Sequence, residues 1–413
     1  MRKRLYWAIF AGILYGFFEL LCFSGLFVLK RTRNVEYTRI LKTSLSEKHR
    51  EILEILVEGG ATYQTFSPTL GWTIKKNGAS REGEYRANSQ GLRADREYEL
   101  VPPTNVVRIA CFGDSFTHSS GVANHETWEE CLTRLYPGLE VLNFGVGGYG
   151  LDQAFLRYQQ DGVPFHPRIV LIGFMSENIF RNVNVFRPFY LSNTKMPLTK
   201  PRFTIRDDKL VLLKNPMQEL SQYNELLAHP ETRLPQLGTN DYFFQTRREH
   251  GFFDLIPSVR VYKACTSEAA SSEEDVISAG VYDRDSEAYR VTVKIFDAFH
   301  ESVIRNGSEP VIVLFPNPGD VKRHRKQETT RYAPLREDFK SKGYRYIDLL
   351  DAFDTYGRDL SMKELFRGHY SARTDEFVAK HIGRHLEEKG LITQKPPNKQ
   401  AALETQESAM LPP

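Results

Sequence analysis

Five short apolar runs, rich in β-branched residues, constrain the fold of this chain more than any other feature of its sequence. The runs lie at 106–112, 139–146, 168–174, 310–315 and 344–350. Helical apolar spacing follows or separates them near 126–136, 150–160, 285–306, 331–342 and 372–389. Buried strands that alternate with helices are typical of a parallel sheet covered by helices on both faces. The sequence therefore predicts an α/β fold, a three-layer α/β/α sandwich.

A long interruption separates the third and fourth runs. Residues from about 183 to 284 are rich in Pro, Asn and aromatic side chains. Within them, the segment PRFTIRDDKLVLL predicts a hairpin that turns at Asp207-Asp208. We interpret the interruption as an insertion, or cap, that lies over the edge of the sheet.

An apolar segment precedes the predicted domain. Residues 5–29 are about as long as a helix that crosses a bilayer, and basic residues flank both ends. The apolar core is longer than that of a secretory signal, and no small-residue cleavage site is evident, so the pattern favours an uncleaved anchor. An interfacial or signal-like segment is the alternative. Glu19 places one charge near the middle of this segment.

The chain divides into four parts on this interpretation. The anchor is followed by a helical stalk over 30–60, a domain over 61–390 and a disordered tail over 391–413. The flanking basic residues nearly balance, and the amino terminus tips the prediction toward a cytoplasmic N-terminus. The sequence thus predicts a single-pass membrane protein with its globular domain outside the cytoplasm.

Composition excludes several classes of function. A formal net charge of +3 over 413 residues gives no sign of nucleic-acid binding. The four cysteines are scattered and form no Cys-x-x-Cys pair, which argues against a disulfide framework or a zinc site. Neither a metal nor an organic cofactor is predicted.

The first apolar run leads directly into Gly113-Asp114-Ser115. Ligands of open α/β sheets bind at the carboxyl ends of the strands, so Ser115 lies where chemistry is expected. A serine that only caps a helix is the structural alternative.

Three further blocks follow other strands or precede the last helix. Asn143 begins a glycine-rich block that includes Gly148, and a glycine there allows close approach of a backbone N–H to a substrate. Asn178 follows the third run and offers a side-chain amide for a developing oxyanion. His369 precedes the last helix, where an imidazole could accept the proton of the serine.

In this order, the four blocks resemble those of the SGNH, or GDSL, hydrolases. The resemblance implies a flavodoxin-like sandwich with Ser115 as nucleophile and first oxyanion donor. It also implies that Gly148 and Asn178 complete the oxyanion hole and that His369 is the general base. Wider matches resemble membrane-associated SGNH proteins of bacterial polysaccharide assembly; they are Gly71-Trp72, Asn88-Ser-Gln-Gly91-Leu-Arg93 and Gly121-Val122.

One position departs from the family pattern. An Asp usually stands two or three residues before the histidine, but here those places hold Arg367 and Phe366. A backbone carbonyl, or a displaced acid such as Glu364 or Asp359, would then orient His369; otherwise the site is impaired.

The resemblance implies a serine esterase or deacylase that acts through an acyl-enzyme. The expected partner is an ester-bearing substrate, such as an O-acylated glycan or a lipid-linked precursor. Transfer of the acyl group to a sugar hydroxyl is an alternative activity of the same site. A non-catalytic module that binds glycan or scaffolds an assembly complex is a further alternative, supported by the missing Asp.

Overall fold

A computed structural model describes residues 2–33, 42–246, 252–265 and 275–393. Most of the predicted tail lies outside the described residues. Leu391 and Ile392, which begin that predicted tail, are buried. The ordered domain therefore extends two residues beyond the boundary that the sequence predicts.

Strands are numbered in chain order. They are β1 (Gln64–Ser67), β2 (Gly71–Ile74), β3 (Val107–Phe112), β4 (Leu139–Asn143), β5 (Ile169–Met175), β6 (Arg202–Arg206), β7 (Lys209–Leu213), β8 (Ile277–Ser278), β9 (Val281–Tyr282), β10 (Glu309–Phe315), β11 (Tyr346–Asp348), β12 (Phe366–Arg367) and β13 (His369–Tyr370).

The α-helices are numbered in the same way. They are α1 (Arg2–Arg33), α2 (Glu47–Val57), α3 (Trp128–Leu135), α4 (Leu151–Arg157), α5 (Asn178–Arg181), α6 (Arg187–Tyr190), α7 (Tyr223–Ala228), α8 (Pro230–Gly238), α9 (Tyr242–Thr246), α10 (Pro257–Cys265), α11 (Glu287–Arg305), α12 (Pro318–Arg325), α13 (Ala333–Lys342), α14 (Leu350–Tyr356), α15 (Met362–Leu365) and α16 (Ala372–Glu388).

The five predicted strands form one parallel sheet in the order β11-β10-β5-β3-β4. Every residue of the central strand β5 is buried. Helices α4 and α11 pack together in one layer, and α3 and α16 pack together in another. The prediction of a three-layer α/β/α sandwich is confirmed. The carboxyl ends of β3, β4 and β5 consequently meet at one edge, where the candidate site lies.

Serine caps begin the two longest helices of the sandwich. Ser286 accepts a hydrogen bond from the N–H of Tyr289 at the start of α11. Ser371 accepts one from the N–H of Thr374 at the start of α16. Each cap satisfies an N–H that the helix itself leaves unpaired. The cap at Ser371 also fixes the point at which the chain leaves the segment that carries His369.

The predicted hairpin of the insertion is confirmed as β6 and β7. Asp207 and Asp208 have φ values of 47° and 59°, as a two-residue turn between twisted strands requires. The hairpin packs on α11 and α4. The expectation that the insertion lies over the sheet edge is therefore wrong for this part, which covers a helical layer, because its half-buried side chains face the helices.

A buried ion pair ties the insertion to the sandwich. The ammonium of Lys200 contacts the carboxylate of Asp152 on α4, and both side chains are fully buried. Burial lowers the pKa of Lys200 and raises the pKa of Asp152, and the attraction between the two charges opposes both changes. The pair fixes the insertion beside the glycine-rich block that precedes α4.

The amino-terminal part differs from the predicted stalk. Helix α2 packs against the domain, because Leu53 and His49 are buried and His49 contacts the carbonyl of Thr194. It is therefore a part of the domain and not a free-standing stalk. The antiparallel hairpin β1–β2 also precedes the first strand of the sheet. Helix α1 is long and apolar enough to span a membrane.

Candidate active site

Ser115 lies in the turn that follows β3. Gly113 is required there, because a Cβ at this position would meet the side-chain oxygen of Thr117 at 2.1 Å. Asp114 accepts a hydrogen bond from the N–H of Phe116 through one carboxylate oxygen. The N–H of Ser120 donates to the carbonyl of Ser115. These contacts hold the serine in a tight helical turn at the carboxyl edge of the sheet.

His369 lies next to that serine although 254 positions separate them in the chain, and its Nε2 is 2.8 Å from Ser115 Oγ. The imidazole is carried by the short hairpin β12–β13, whose tip is Gly368 with φ of 84°. The ring of Phe116 packs against the imidazole, with centroids 5.2 Å apart. Burial lowers the pKa of His369, and the negative charge of Asp114 opposes that change. The neutral imidazole is thus the form favoured near neutral pH, and it is the form that can accept a proton.

No carboxylate among the described residues contacts Nδ1 of His369. Glu364 instead caps α15, where its carboxylate accepts from the N–H and the hydroxyl of Ser361. Asp359 is exposed, and no described contact joins it to the imidazole. Phe366 stacks on Phe353, so a position where the family pattern allows an acid is part of the aromatic core. The described geometry is a Ser–His dyad.

At this edge of the sheet, the backbone N–H groups of Ser115 and Gly148 have no hydrogen-bond partner within the described part of the chain. The N–H of the next residue, Tyr149, does have a partner, the carbonyl of Val146. Unpaired N–H groups are rare in folded proteins and costly when buried. Those of Ser115 and Gly148 make a candidate oxyanion hole.

Side-chain donors hold two consecutive carbonyls of the glycine-rich block. The carbonyl of Gly147 accepts from Trp72 Nε1 and from Gln64 Nε2, each at 3.0 Å. That of Gly148 accepts from Arg187 at 2.7 Å. Because C=O and N–H point in opposite directions across a trans peptide, the bonds to Gly147 aim the N–H of Gly148 away from Trp72. Gly148 has φ of 86°, which favours glycine.

Asn178 lies at this edge, but its amide is already engaged. Its Nδ2 donates to Asp114 at 3.1 Å and to the carbonyl of Tyr149 at 2.9 Å. Its Oδ1 accepts from the N–H of Met175. Both N–H bonds of the amide therefore join the serine turn to the glycine-rich block. In this geometry Asn178 holds the two halves of the site together.

A buried charged network surrounds these contacts. Arg181 donates to Asp114 at 3.2 Å and to the carbonyl of Tyr149 at 2.9 Å, parallel to Asn178. Burial lowers the pKa of Arg187 to about 10, so its guanidinium remains charged near neutral pH. Burial alone would raise the pKa of Glu177, but Arg181 and Arg187 lower it to about 2. Fixed charges of both signs therefore stiffen the loops around Ser115.

The wider sequence matches surround the site as supports. Arg93 binds the carbonyl of Ser119 at 2.7 Å and also contacts the carbonyls of His118 and Val122. It thereby holds the loop that follows Ser115. Gly71 has φ of 84° and faces the backbone of Thr199, which leaves no space for a Cβ. It turns the chain so that Trp72 can reach the glycine-rich block.

His118 is fully buried close to the site, but its two ring nitrogens are occupied. One lies 2.7 Å from the hydroxyl of Tyr63 and the other 2.9 Å from Ser120 Oγ. Burial lowers its pKa well below the ordinary histidine value, so the ring is neutral. His369 is therefore the histidine placed to serve Ser115.

The structure thus brings together all four residues that the sequence singled out: Ser115, Gly148, Asn178 and His369. The supporting residues Gln64, Arg181 and Arg187 have no sequence signal of their own, because each acts through a carbonyl that only the fold brings near. Trp72 belongs to a matched motif, which could have marked it. Its hydrogen bond to Gly147 depends on a hairpin that the sequence did not predict.

No protein-family model matches the sequence, and no curated protein matches it. The chain is similar to a lipase/acylhydrolase from Enterococcus faecalis (14% identity, 70% of this chain and 99% of that chain, TM-score 0.35). It is also similar to a putative lipolytic protein of the G-D-S-L family from Desulfitobacterium hafniense (12%, 67% and 98%, TM-score 0.34). A catalytic mutant of an acetylxylan esterase from Geobacillus stearothermophilus is a third (12%, 70% and 97%, TM-score 0.33).

Proposed function

We propose that this chain is an SGNH-type serine esterase that works through an acyl-enzyme. The observation that carries the proposal is the 2.8 Å contact between Ser115 Oγ and His369 Nε2, with two unpaired N–H groups alongside. A serine that only capped a helix would not require a neutral, half-buried imidazole on its hydroxyl. The geometry fits a nucleophile, a base and an oxyanion hole together.

The reaction would proceed in two balanced halves. Ser115 Oγ attacks the ester carbonyl while its proton passes to His369 Nε2, and the carbonyl oxygen becomes an oxyanion. The N–H groups of Ser115 and Gly148 donate to that oxygen. The proton on His369 then passes to the leaving alcohol as the acyl-enzyme forms. Water then attacks the acyl-enzyme and gives its proton to His369. The bond between the acyl group and Ser115 Oγ breaks, the acid leaves, and Ser115 recovers its proton.

Asn178 is assigned a positioning role in the resting site, because both its N–H bonds are used within the protein. The family resemblance implies a direct contact with the oxyanion. That contact would require the amide to exchange one of its two partners when substrate binds. Ser115 and Gly148 supply the donors that are free beforehand.

The proposed substrate is an O-acyl group on a glycan or on a lipid-linked precursor. The resemblance to membrane-associated SGNH proteins supports this class, as does the apolar helix α1. We further propose that α1 is a retained anchor, that the N-terminus is cytoplasmic and that the domain lies outside. Such a tether would keep the site near substrates assembled at the membrane.

A fluorophosphonate probe tests the proposed site directly. The wild type in detergent should become labelled, and Ser115→Ala and His369→Ala should both lose labelling. Ser120→Ala is a matched control, because that serine contacts His118 instead of His369. It should retain labelling. A folded wild type that does not react would overturn the esterase proposal in favour of a binding module.

Product analysis separates hydrolysis from acyl transfer. The protein is incubated with an acetylated sugar polymer, with and without an unacetylated sugar acceptor. Free acetate in both reactions supports hydrolysis. Acetylated acceptor without free acetate would show that the acyl-enzyme reacts with sugar hydroxyls instead of water.

A further inference from the structure

The insertion contacts the amino-terminal apolar helix through a specific pair of hydrogen bonds. Glu19 on α1 accepts from the N–H of Ser258 at 2.8 Å and from its hydroxyl at 2.6 Å. Ser258 is the second residue of α10, so the carboxylate lies at the positive end of a helix. The carboxylate that lies within the apolar segment of α1 therefore accepts hydrogen bonds from the insertion.

Helix α10 covers one face of one half of α1. Where the burial of α1 is described, over residues 2–28, the half-buried residues are Glu19, Cys22, Gly25 and Leu26, whereas residues 2–18 are exposed. The spacing of the half-buried residues places them along a single helical face. The contact therefore begins at Glu19 and runs toward the carboxyl end of α1, from which the chain leads to the domain.

Large apolar side chains surround this contact. On α1, Leu20, Phe23 and Phe27 are each more than half exposed. On the insertion, Leu255 is 74% exposed and Phe253 is 68% exposed, in the short turn that precedes α10. Neighbouring apolar surface of this kind marks a contact with lipid or protein.

We propose that residues 252–265 form a membrane-embedded segment that enters the leaflet nearest the domain alongside α1. Lys30 lies eleven positions after Glu19, which in a helix corresponds to a rise of about 16 Å. That distance is close to half of the hydrocarbon core, which is about 30 Å thick. With Lys30 at the headgroups, Ser258 lies within the lipid, and so do the side chains that flank α10.

The occupant of this surface is the bilayer, because the surface is continuous with an apolar helix long enough to span one. Ser258 satisfies Glu19 where water is absent, and an unpaired carboxylate there would be costly. Arg260 supplies a long cationic side chain of the kind that reaches from apolar surroundings to lipid headgroups. The inference rests on the proposed anchoring of α1, so its test must separate the two.

Depth-dependent quenching in lipid nanodiscs tests the inference on the full chain. An environment-sensitive fluorophore (NBD) is attached at Leu255→Cys after Cys22 and Cys265 are replaced by serine. Phe10→Cys reports the anchor itself. Val101→Cys is the matched control, an apolar residue that is 71% exposed and lies outside the insertion. Brominated lipids quench fluorophores within the hydrocarbon, and aqueous iodide quenches those outside it.

We expect brominated lipids to quench the probes at 10 and 255, and iodide to quench the probe at 101. If the probe at 255 behaves like the one at 101 while brominated lipids quench the probe at 10, the proposal of an embedded segment is overturned but the proposed anchor is not. A probe at 10 that iodide quenches would overturn both. Ser258→Ala with Glu19→Leu should weaken lipid quenching at 255 and leave it unchanged at 10. Unchanged quenching at 255 would contradict the role of the Glu19–Ser258 pair.

Discussion

The indole N–H of Trp72 donates to the carbonyl of Gly147 across 3.0 Å, and Gln64 donates to the same oxygen. A carbonyl with two donors has a fixed direction, and its peptide plane then fixes the N–H of Gly148. The proposed oxyanion donor is therefore oriented before substrate arrives. Preorganised donors of this kind contribute most when charge develops in the transition state.

Replacing Trp72 by Phe removes one donor and retains most of the packing. We expect kcat to fall by about tenfold with little change in KM, because a slightly misplaced donor mainly affects the transition state. Trp72→Phe with Gln64→Leu should lower kcat further. Steady-state kinetics on an aryl ester, with thermal melting as the stability control, checks this. An unchanged kcat in the double variant would contradict the positioning role.

The acid limb of the pH–rate profile should report His369. Burial lowers the pKa of this imidazole below the ordinary value of 6.5. The base is active when neutral, so activity should persist below pH 6.5 and decline only as pH falls through the lowered pKa. The pH dependence of kcat/KM for a neutral ester gives this value. A midpoint above 6.5 would contradict the assigned environment.

Substitutions at Phe366 and Arg367, the positions where the family pattern has an Asp, test whether a carboxylate can be restored there. Phe366 is buried against Phe353 and Tyr370, so Phe366→Asp should destabilise the protein by at least about 3 kcal/mol. Arg367 is exposed and faces His369 across the short hairpin. Arg367→Asp should fold normally and raise the pKa of His369. Denaturant unfolding and the pH–rate profile measure the two effects. A stable Phe366→Asp variant would show that the aromatic cluster does not prevent a carboxylate there.

The buried pair of Lys200 and Asp152 provides a stability test. Asp152→Asn leaves an unpaired buried ammonium, and we expect a loss of about 3–5 kcal/mol. Asp152→Leu with Lys200→Met removes both charges and should recover much of that loss. Urea unfolding of both variants, beside Lys200→Met alone, measures these losses. Equal losses in Asp152→Asn and the double variant would show that packing, rather than the unpaired charge, sets the cost.

The sheet and the placement of the candidate site residues at its edge were predictable because each rests on a local pattern. Apolar runs predict β3, β4, β5, β10 and β11, and the residues that follow strands mark Ser115, Gly148 and Asn178. The hairpin of the insertion was predictable from Asp207-Asp208 at its turn. In each case a few neighbouring residues determine the structure.

The features that the sequence did not predict depend on contacts between residues that are distant in the chain. Arg187 acts on Gly148 from the insertion, and the packing of α2 depends on the insertion as well. The expected substitute acids, Glu364 and Asp359, lie close to His369 in the sequence. The structure places Glu364 at a helix cap, where it satisfies two donors of Ser361. Sequence distance was thus a poor guide to which groups face the imidazole.

The hairpin β1–β2 lies ahead of the first strand of the sandwich, yet it supplies both donors to Gly147. A protein that began at β3 would keep every strand of the sheet, together with Ser115 and His369, but would lose those donors. The part of the chain that forms the sheet is therefore separate from the part that orients the N–H of Gly148. Exchange of the leading hundred residues between related proteins should alter rate while the architecture stays the same.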